Sequence, residues 1–279
     1  ECIFTNPVKF SSQQSTISSQ QTDIARITCG NGVQIRSMSE DDGKPKSVEN
    51  LFVRDLFFDR LTGDVRGTGP GRLTSVRRGG GGLPMGTPGL PGQPVQQQTS
   101  LSESNEDSGV TFLGVDFQRG FTGNMNQRQM EFQQRVETIW GPVDSWEGSL
   151  GLHDPKVLPD KAIAVTSDTL GIGQTPSVPG VPGQTIELSA GGNVLVEGDS
   201  FTARSARLSF SESKDLLVFE GDGRSDAQLF RQERVGGPTS SASAGKILYW
   251  RKYNRVEVKD ARYLDLDQIG GANMPRAPR

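Results

Sequence analysis

Few residues in this chain are of the types that do covalent or metal chemistry. His153 is the single histidine, set in Leu152-His153-Asp154-Pro155, a turn context that suits a surface polar group better than a catalyst. With no second histidine and only two cysteines, neither a zinc site nor a Cys/His nucleophile has its usual partners. Asp265 and Asp267 stand two residues apart, on one face of a strand, and Glu40-Asp41-Asp42-Gly43 is an acidic turn. Both could attract calcium, but neither supplies oxygen ligands at the fixed offsets of a calcium loop, so both read as solvated charges. The run from Gly67 to Gly71 lacks the Lys-Ser/Thr and the following helix of a phosphate loop. A glycosidase needs two carboxylates across one cleft, and the sequence places no such pair. These residues predict a protein that is not an enzyme, with no cofactor and no metal.

What remains is apolar alternation. Gly192 to Gly198 (Gly-Asn-Val-Leu-Val-Glu-Gly), Ala203 to Phe210 and Leu216 to Gly221 each set apolar residues at every second place. That is the period of a half-buried strand. Val194 and Val196, then Ala206, Leu208 and Phe210, then Leu217 and Phe219, then Val256 and Val258, share a common inward face. In a closed sandwich this seam is core; in an open, folded-over sheet it is a groove able to hold an acyl chain.

Composition agrees with a thin sheet. Hydrophobic residues make up 33% of 279, with 35 glycines, too little for one thick core but enough for a narrow seam. A net charge of -3 argues against nucleic acid as a partner, and the basic group Arg72, Arg77 and Arg78 has no interleaved aromatics, which reads as a solvated loop flank. No apolar run is long enough for a membrane-spanning helix. The opening at Glu1 reads as a processed or excised segment whose missing start could have carried an export signal. Cys2 and Cys29 lie in strand-like sequence near the start, and a disulfide and two buried thiols both remain open.

The chain divides into an N-terminal β region over 1–78, a Gly/Pro/Gln/Ser loop over 79–107, a middle β region over 108–170, a Pro/Gly loop over 171–184, C-terminal β repeats over 185–268 and a disordered tail over 269–279. A further interruption runs from Val235 to Gly245. Strands are expected over 24–37, 48–58, 65–76, 112–117, 132–143 and 162–167. A strand–turn–strand unit closed by glycine recurs from Leu56 to Gly71 and from Leu208 to Gly223. Met130 to Val143 is a degenerate third copy, and Ile247 to Val258 a fourth without the glycine. Positive backbone φ at tight turns or bulges explains the glycines without a ligand. Hairpins of this kind bury their faces only by stacking on one another.

The order of Ile186 to Val196, Ala203 to Phe210 and Leu217 to Gly221 resembles the OstA/LptA-like family of lipopolysaccharide-transport proteins. There a Gly-Asn-Val strand is followed by a strand ending in Tyr or Phe and by one ending in Gly. Ile27 to Ile35 is a weaker match to the first of these elements, and Leu56 to Gly67 matches the later ones. The resemblance covers about half of the chain. It implies an all-β protein of stacked antiparallel V-shaped strand pairs, a β-jellyroll or β-taco, placed in the periplasm or cell envelope. It further implies lipid contact at Val194, Val196, Leu208, Phe210, Leu217, Phe219, Val256 and Val258, with a lipopolysaccharide-like glycolipid as ligand and self or related jellyroll domains as edge partners. The long Gly/Pro loops depart from the family pattern. The alternative is a scaffolding β-repeat module with a sealed core and no lipid.

Overall fold

An extended chain that places β-branched and aromatic residues at every second position buries one face and must pair its backbone with neighbours. The computed structural model does this with sixteen strands in one hydrogen-bonded sheet, every pairing antiparallel. It describes residues 26–41, 43–78, 110–151, 158, 162–175, 185–198, 200–232, 239–250, 253 and 255–265. The strands are β1 (Arg26–Cys29), β2 (Val33–Asp41), β3 (Lys44–Val53), β4 (Asp55–Asp59), β5 (Asp64–Thr68), β6 (Gly71–Arg78), β7 (Val110–Phe117) and β8 (Gly120–Asn124). They continue with β9 (Gln129–Val143), β10 (Ile163–Thr175), β11 (Thr185–Gly198), β12 (Phe201–Ser211), β13 (Leu216–Glu220), β14 (Ala227–Gln232), β15 (Thr239–Trp250) and β16 (Arg255–Asp265). The protein is all-β, as the alternation predicts, and strands from all three β regions belong to the same sheet.

The pairing has a break in every row. Ten strands form end-to-end couples, β1 with β2, β3 with β4, β5 with β6, β7 with β8 and β13 with β14, and the members of each couple pair with different stretches of chain. The other six strands are interrupted within themselves. β9 pairs with β8 through 129–133 and with β7 through 137–143. β10 and β11 lose register between Thr166 and Thr169 and between Gly191 and Val194. β12 and β15 each pass from β14 to β13 part-way along. Along β15 and β16, Gly245 and Asp260 form no ladder pair, and the register shifts between Ser243 and Ala244, which leaves Arg262 as the extra residue of β16. Five couples and six interrupted strands make eleven rows, each crossing from one run of pairings to the other.

The breaks lie side by side. Gly32 N donates to Arg54 O at 2.8 Å, Arg54 N to Thr68 O at 2.9 Å, Gly69 N to Arg119 O at 2.7 Å and Gln118 N to Gln134 O at 3.0 Å. Further along, Asn193 Nδ2 donates to Asp168 Oδ2 at 2.8 Å, and Gly221 N donates to Gly245 O at 3.0 Å. Left-handed residues turn the chain here: Asn31 (φ 67), Gln134 (φ 67), Arg135 (φ 48), Asn193 (φ 48) and Asp260 (φ 57).

One large apolar cluster draws on both runs, from Val53 and Leu56 to Ile247 and Tyr249. Phe117, Phe121 and Phe132 join the runs in a ring trio with centroids 5.3 to 5.9 Å apart. On the opposite face of β6, β7 and β9, the chain following β9 packs Trp146 and Leu150 over Val76, Phe112 and Ile139.

Several local expectations are corrected. Gly171 to Thr175 is the end of β10 and Thr239 to Gly245 the start of β15; in both, pairing partners on two sides override the loop-like composition. Met130 to Val143 is one interrupted strand and not a hairpin. Arg72, Arg77 and Arg78 lie within β6, not on a loop. Gly63 (φ 78) and Gly223 (φ 86) take the positive φ expected of the units' glycines, whereas Gly67 and Gly221 are places of close approach: a Cβ on Gly67 would meet the Phe121 ring, and one on Gly221 the Ser225 carbonyl. The loop over 79–107, the remainder of 171–184 and the tail over 269–279 lie outside the described residues.

Candidate functional site

The eight seam residues do meet. Leu208 stands opposite Phe219 and Phe210 opposite Leu217, while Ala190 faces Leu208 and Tyr249 faces Val256. Val194, Val196, Leu208, Leu217 and Phe219 are no more than 4% exposed, each within the single large cluster. Phe210, Val256 and Val258 pack against it half-buried. Through its middle, the seam is therefore closed by side chains from both runs. At its two ends it is less so, because Val33 and Ile35 on β2 and Val256 and Val258 on β16 keep part of their surface.

The Gly-Asn motif has a backbone meaning. Gly192 (φ 75) and Asn193 (φ 48) form the break in β11, and Asn31 (φ 67) with Gly32 (φ 91) forms the break between β1 and β2. Glycine and asparagine are the residues that enter this region at least cost. Both stretches that resemble the family's first element are thus places where a row crosses between the runs.

The inner face turns polar at one place. Leu51 pairs with Leu73, both in the cluster or against it, and two residues further along that face come Glu49 and Ser75, then Ser47 and Arg77. Arg77 Nη2 donates to Glu49 Oε1 at 2.7 Å and Arg77 Nε to Ser75 Oγ at 3.1 Å; Ser39 and Ser47 share a hydroxyl contact of 2.7 Å. Burial pushes the Arg77 guanidinium below its usual value, against the opposing pull of Glu49. Arg72 instead lies 3.4 Å from Asp116, and Arg78 sits 5.9 Å from the Trp146 ring centroid. The three arginines are held separately and do not form one basic patch.

A shallow pocket of about 280 Å³ lies beside the breaks, lined by Phe52, Pro70, Gly71, Asp116, Phe117, Gln118, Arg135 and Glu137. Asp116 and Glu137 are register partners, so this pocket carries two carboxylates on directly opposed residues. Sequence reasoning missed the pair because 21 positions separate residues that only the β7–β9 register brings together. It also missed Glu49 with Arg77, whose joining depends on β3 lying beside β6.

The remaining candidates fall as follows. Cys29 ends β1 and is buried; Cys2, His153, Asp42 and Asp267 lie outside the described residues, and for Asp265 only the backbone is described. Glu40 and Asp41 end β2 at its hairpin with β3. Among the described residues no group of three or more His, Cys, Asp and Glu side chains could hold a metal ion, and no helix is long and apolar enough to cross a membrane. No protein-family model matches the chain, and no curated protein sequence matches it.

Proposed function

We propose that the protein is a non-catalytic module of the cell envelope, a β-jellyroll of stacked V-shaped strand pairs that joins like domains through its sheet edges. The carrying observation is a single apolar cluster that runs the length of the stack and ends, on strands paired from one side only among the described residues, in half-buried valines and isoleucine. A fold that stops in this way gains by adding another copy of the same cross-section, since unpaired backbone and apolar surface are covered together. The aligned breaks support the V-shaped reading, and the OstA/LptA-like order of motifs supports the periplasm or envelope as its place. Closure of the seam through its middle favours scaffolding over carriage of a ligand.

Glycolipid handling is the second reading, favoured by the continuity of the seam from the β2 end to β16. It requires the two runs to part, with Val194, Val196, Leu208, Phe210, Leu217, Phe219, Val256 and Val258 exchanging contacts with one another for contacts with acyl chains. Native mass spectrometry with added lipopolysaccharide, alongside sedimentation velocity over a concentration series, tests both. Concentration-dependent oligomers without bound glycolipid support the scaffold. Stoichiometric glycolipid adducts support carriage, and a monomer that binds nothing sinks both.

A further inference from the structure

We infer that a second copy of this chain docks on the β16 edge about a two-fold axis that passes through Asp260. This rests on the edge-to-edge reading above and adds which edge is used and with what polarity. Neighbouring rows are antiparallel throughout and eleven is odd, so the first row, β1 with β2, runs in the same direction as the last, β16. A copy added head to tail would pair β16 with β1 and β2 in parallel. A copy added about a two-fold axis meets β16 with a reversed β16, and the pairing is antiparallel, the more stable arrangement per residue.

Lengths decide between the two ends. Among the described residues of β16, 255–259 precede Asp260 and 261–265 follow it, five on each side, so reversal lays each half on the other, with Arg262, the extra residue of the β15–β16 register, accommodated in the second half. At the opposite end, reversal would set the four residues of β1 against the nine of β2. Head-to-tail addition would leave the same mismatch. The β16 edge is also accessible: among the described residues it pairs with β15 alone, and Arg255, Lys259, Asp260, Ala261 and Arg262 are exposed. Val256 and Val258, half-buried at the end of the cluster, would be covered as the second copy continues the seam.

Asp260 gives the proposal a signature. Its backbone is left-handed at φ 57, and on the axis its carboxylate would meet Asp260 of the second copy, a like-charge opposition. Asn tolerates the same backbone without the charge, so Asp260→Asn is expected to tighten the dimer about two- to fivefold at low salt.

The test is cross-linking beside sedimentation velocity, in a Cys2→Ser chain that retains the buried Cys29. Asp260→Cys should give a disulfide-linked dimer by itself, and the wild-type species should stop at dimer as concentration rises. Ala261→Cys with a short bis-maleimide reads the same proximity should a cysteine at the left-handed position impair folding. Arg204→Cys, exposed away from the edge, gives the rate of chance collision. If the β16 cysteines link only to Arg36→Cys on β2, with oligomers growing beyond dimer, the two-fold is overturned while edge assembly stands. A chain that stays monomeric with no linkage above the Arg204→Cys control overturns both.

Discussion

Arg77 and Glu49 form an ion pair of 2.7 Å on the inner face of the sheet, with side chains 21% and 14% exposed. They sit one step diagonal in the β3–β6 register, where the apolar seam has just given way to serines. Each neutralises a charge that would otherwise be stranded against β-sheet. Glu49→Leu or Arg77→Met alone is expected to cost about 1–3 kcal/mol, less than a fully buried pair because water still reaches both groups. Glu49→Leu with Arg77→Met should recover most of that loss. Urea unfolding of the two single variants and the double variant checks this; strictly additive losses would show that the pair is not coupled.

Acid should weaken the fold through carboxylates held by hydrogen bonds. Asp222 accepts from Ser225 N at 2.7 Å, Arg224 N at 2.9 Å and Ser225 Oγ at 3.0 Å, which lowers its pKa to about 2. Asp59 is lowered chiefly by Arg26, Glu220 chiefly by Lys246, and Asp55 chiefly by the Thr68 hydroxyl. In each case the unfolded chain takes up its proton at higher pH than the folded chain. Their contribution is therefore fully present above the ordinary values of 3.8 for Asp and 4.5 for Glu, and is lost as pH falls through the lowered ones. The urea midpoint should drop steadily as pH falls below the ordinary carboxylate range, and Asp222→Asn should make the lower part of that drop shallower. An unchanged slope in the variant would remove Asp222 from the account.

The strands were legible because one buried face imposes a period of two, and the hairpins β4–β5 and β12–β13 because their turns carry polar residues between alternating runs. The breaks inside long strands were not. Gln134, Arg135 and Asp260 are ordinary polar residues, and nothing local marks them as left-handed; the neighbouring row does, by offering a backbone partner such as Gln118 N to Gln134 O. In the sequence, Gly192-Asn193 reads only as part of a strand motif; its bend comes from the backbone, at φ 75 and 48. Whether the alternating valines line a groove or a core depends on the separation of the two runs, a distance that no spacing within a strand encodes. Asp116 with Glu137 was hidden for a related reason, since register and not sequence proximity joins them.

Gly67 supplies a sharper test of the packing beneath the aromatic trio that joins the runs. It lies opposite Phe121 in the β5–β8 register, and a Cβ there would collide with the edge of that ring. Phe121 has no room to yield, because Phe117 and Phe132 hold it at centroid distances of 5.9 and 5.8 Å. Gly67→Ala is expected to cost about 1–3 kcal/mol by overpacking. Added to Phe121→Leu, which opens the space, the same change should cost much less than it does alone. Thermal unfolding of the four proteins in this cycle measures the difference, and equal losses in both backgrounds would refute the contact.

Asn193 combines the two properties that make a bend, and they can be separated. Its φ of 48 needs a residue that tolerates the left-handed region, and its side-chain amide donates to Asp168 Oδ2 at 2.8 Å, tying the break in β11 to that in β10. Asn193→Gly keeps the backbone freedom and removes the amide, so its loss should be small, about 0.5–1.5 kcal/mol for an exposed hydrogen bond. Asn193→Val removes the amide and places a β-branched side chain at positive φ, so its loss should exceed that of Gly by about 1–2 kcal/mol. Asp168→Ala should match Asn193→Gly and add little to it, since both delete one contact. If Val and Gly prove equally tolerated, β11 does not bend at Asn193, and the V-shaped reading of that row falls with it.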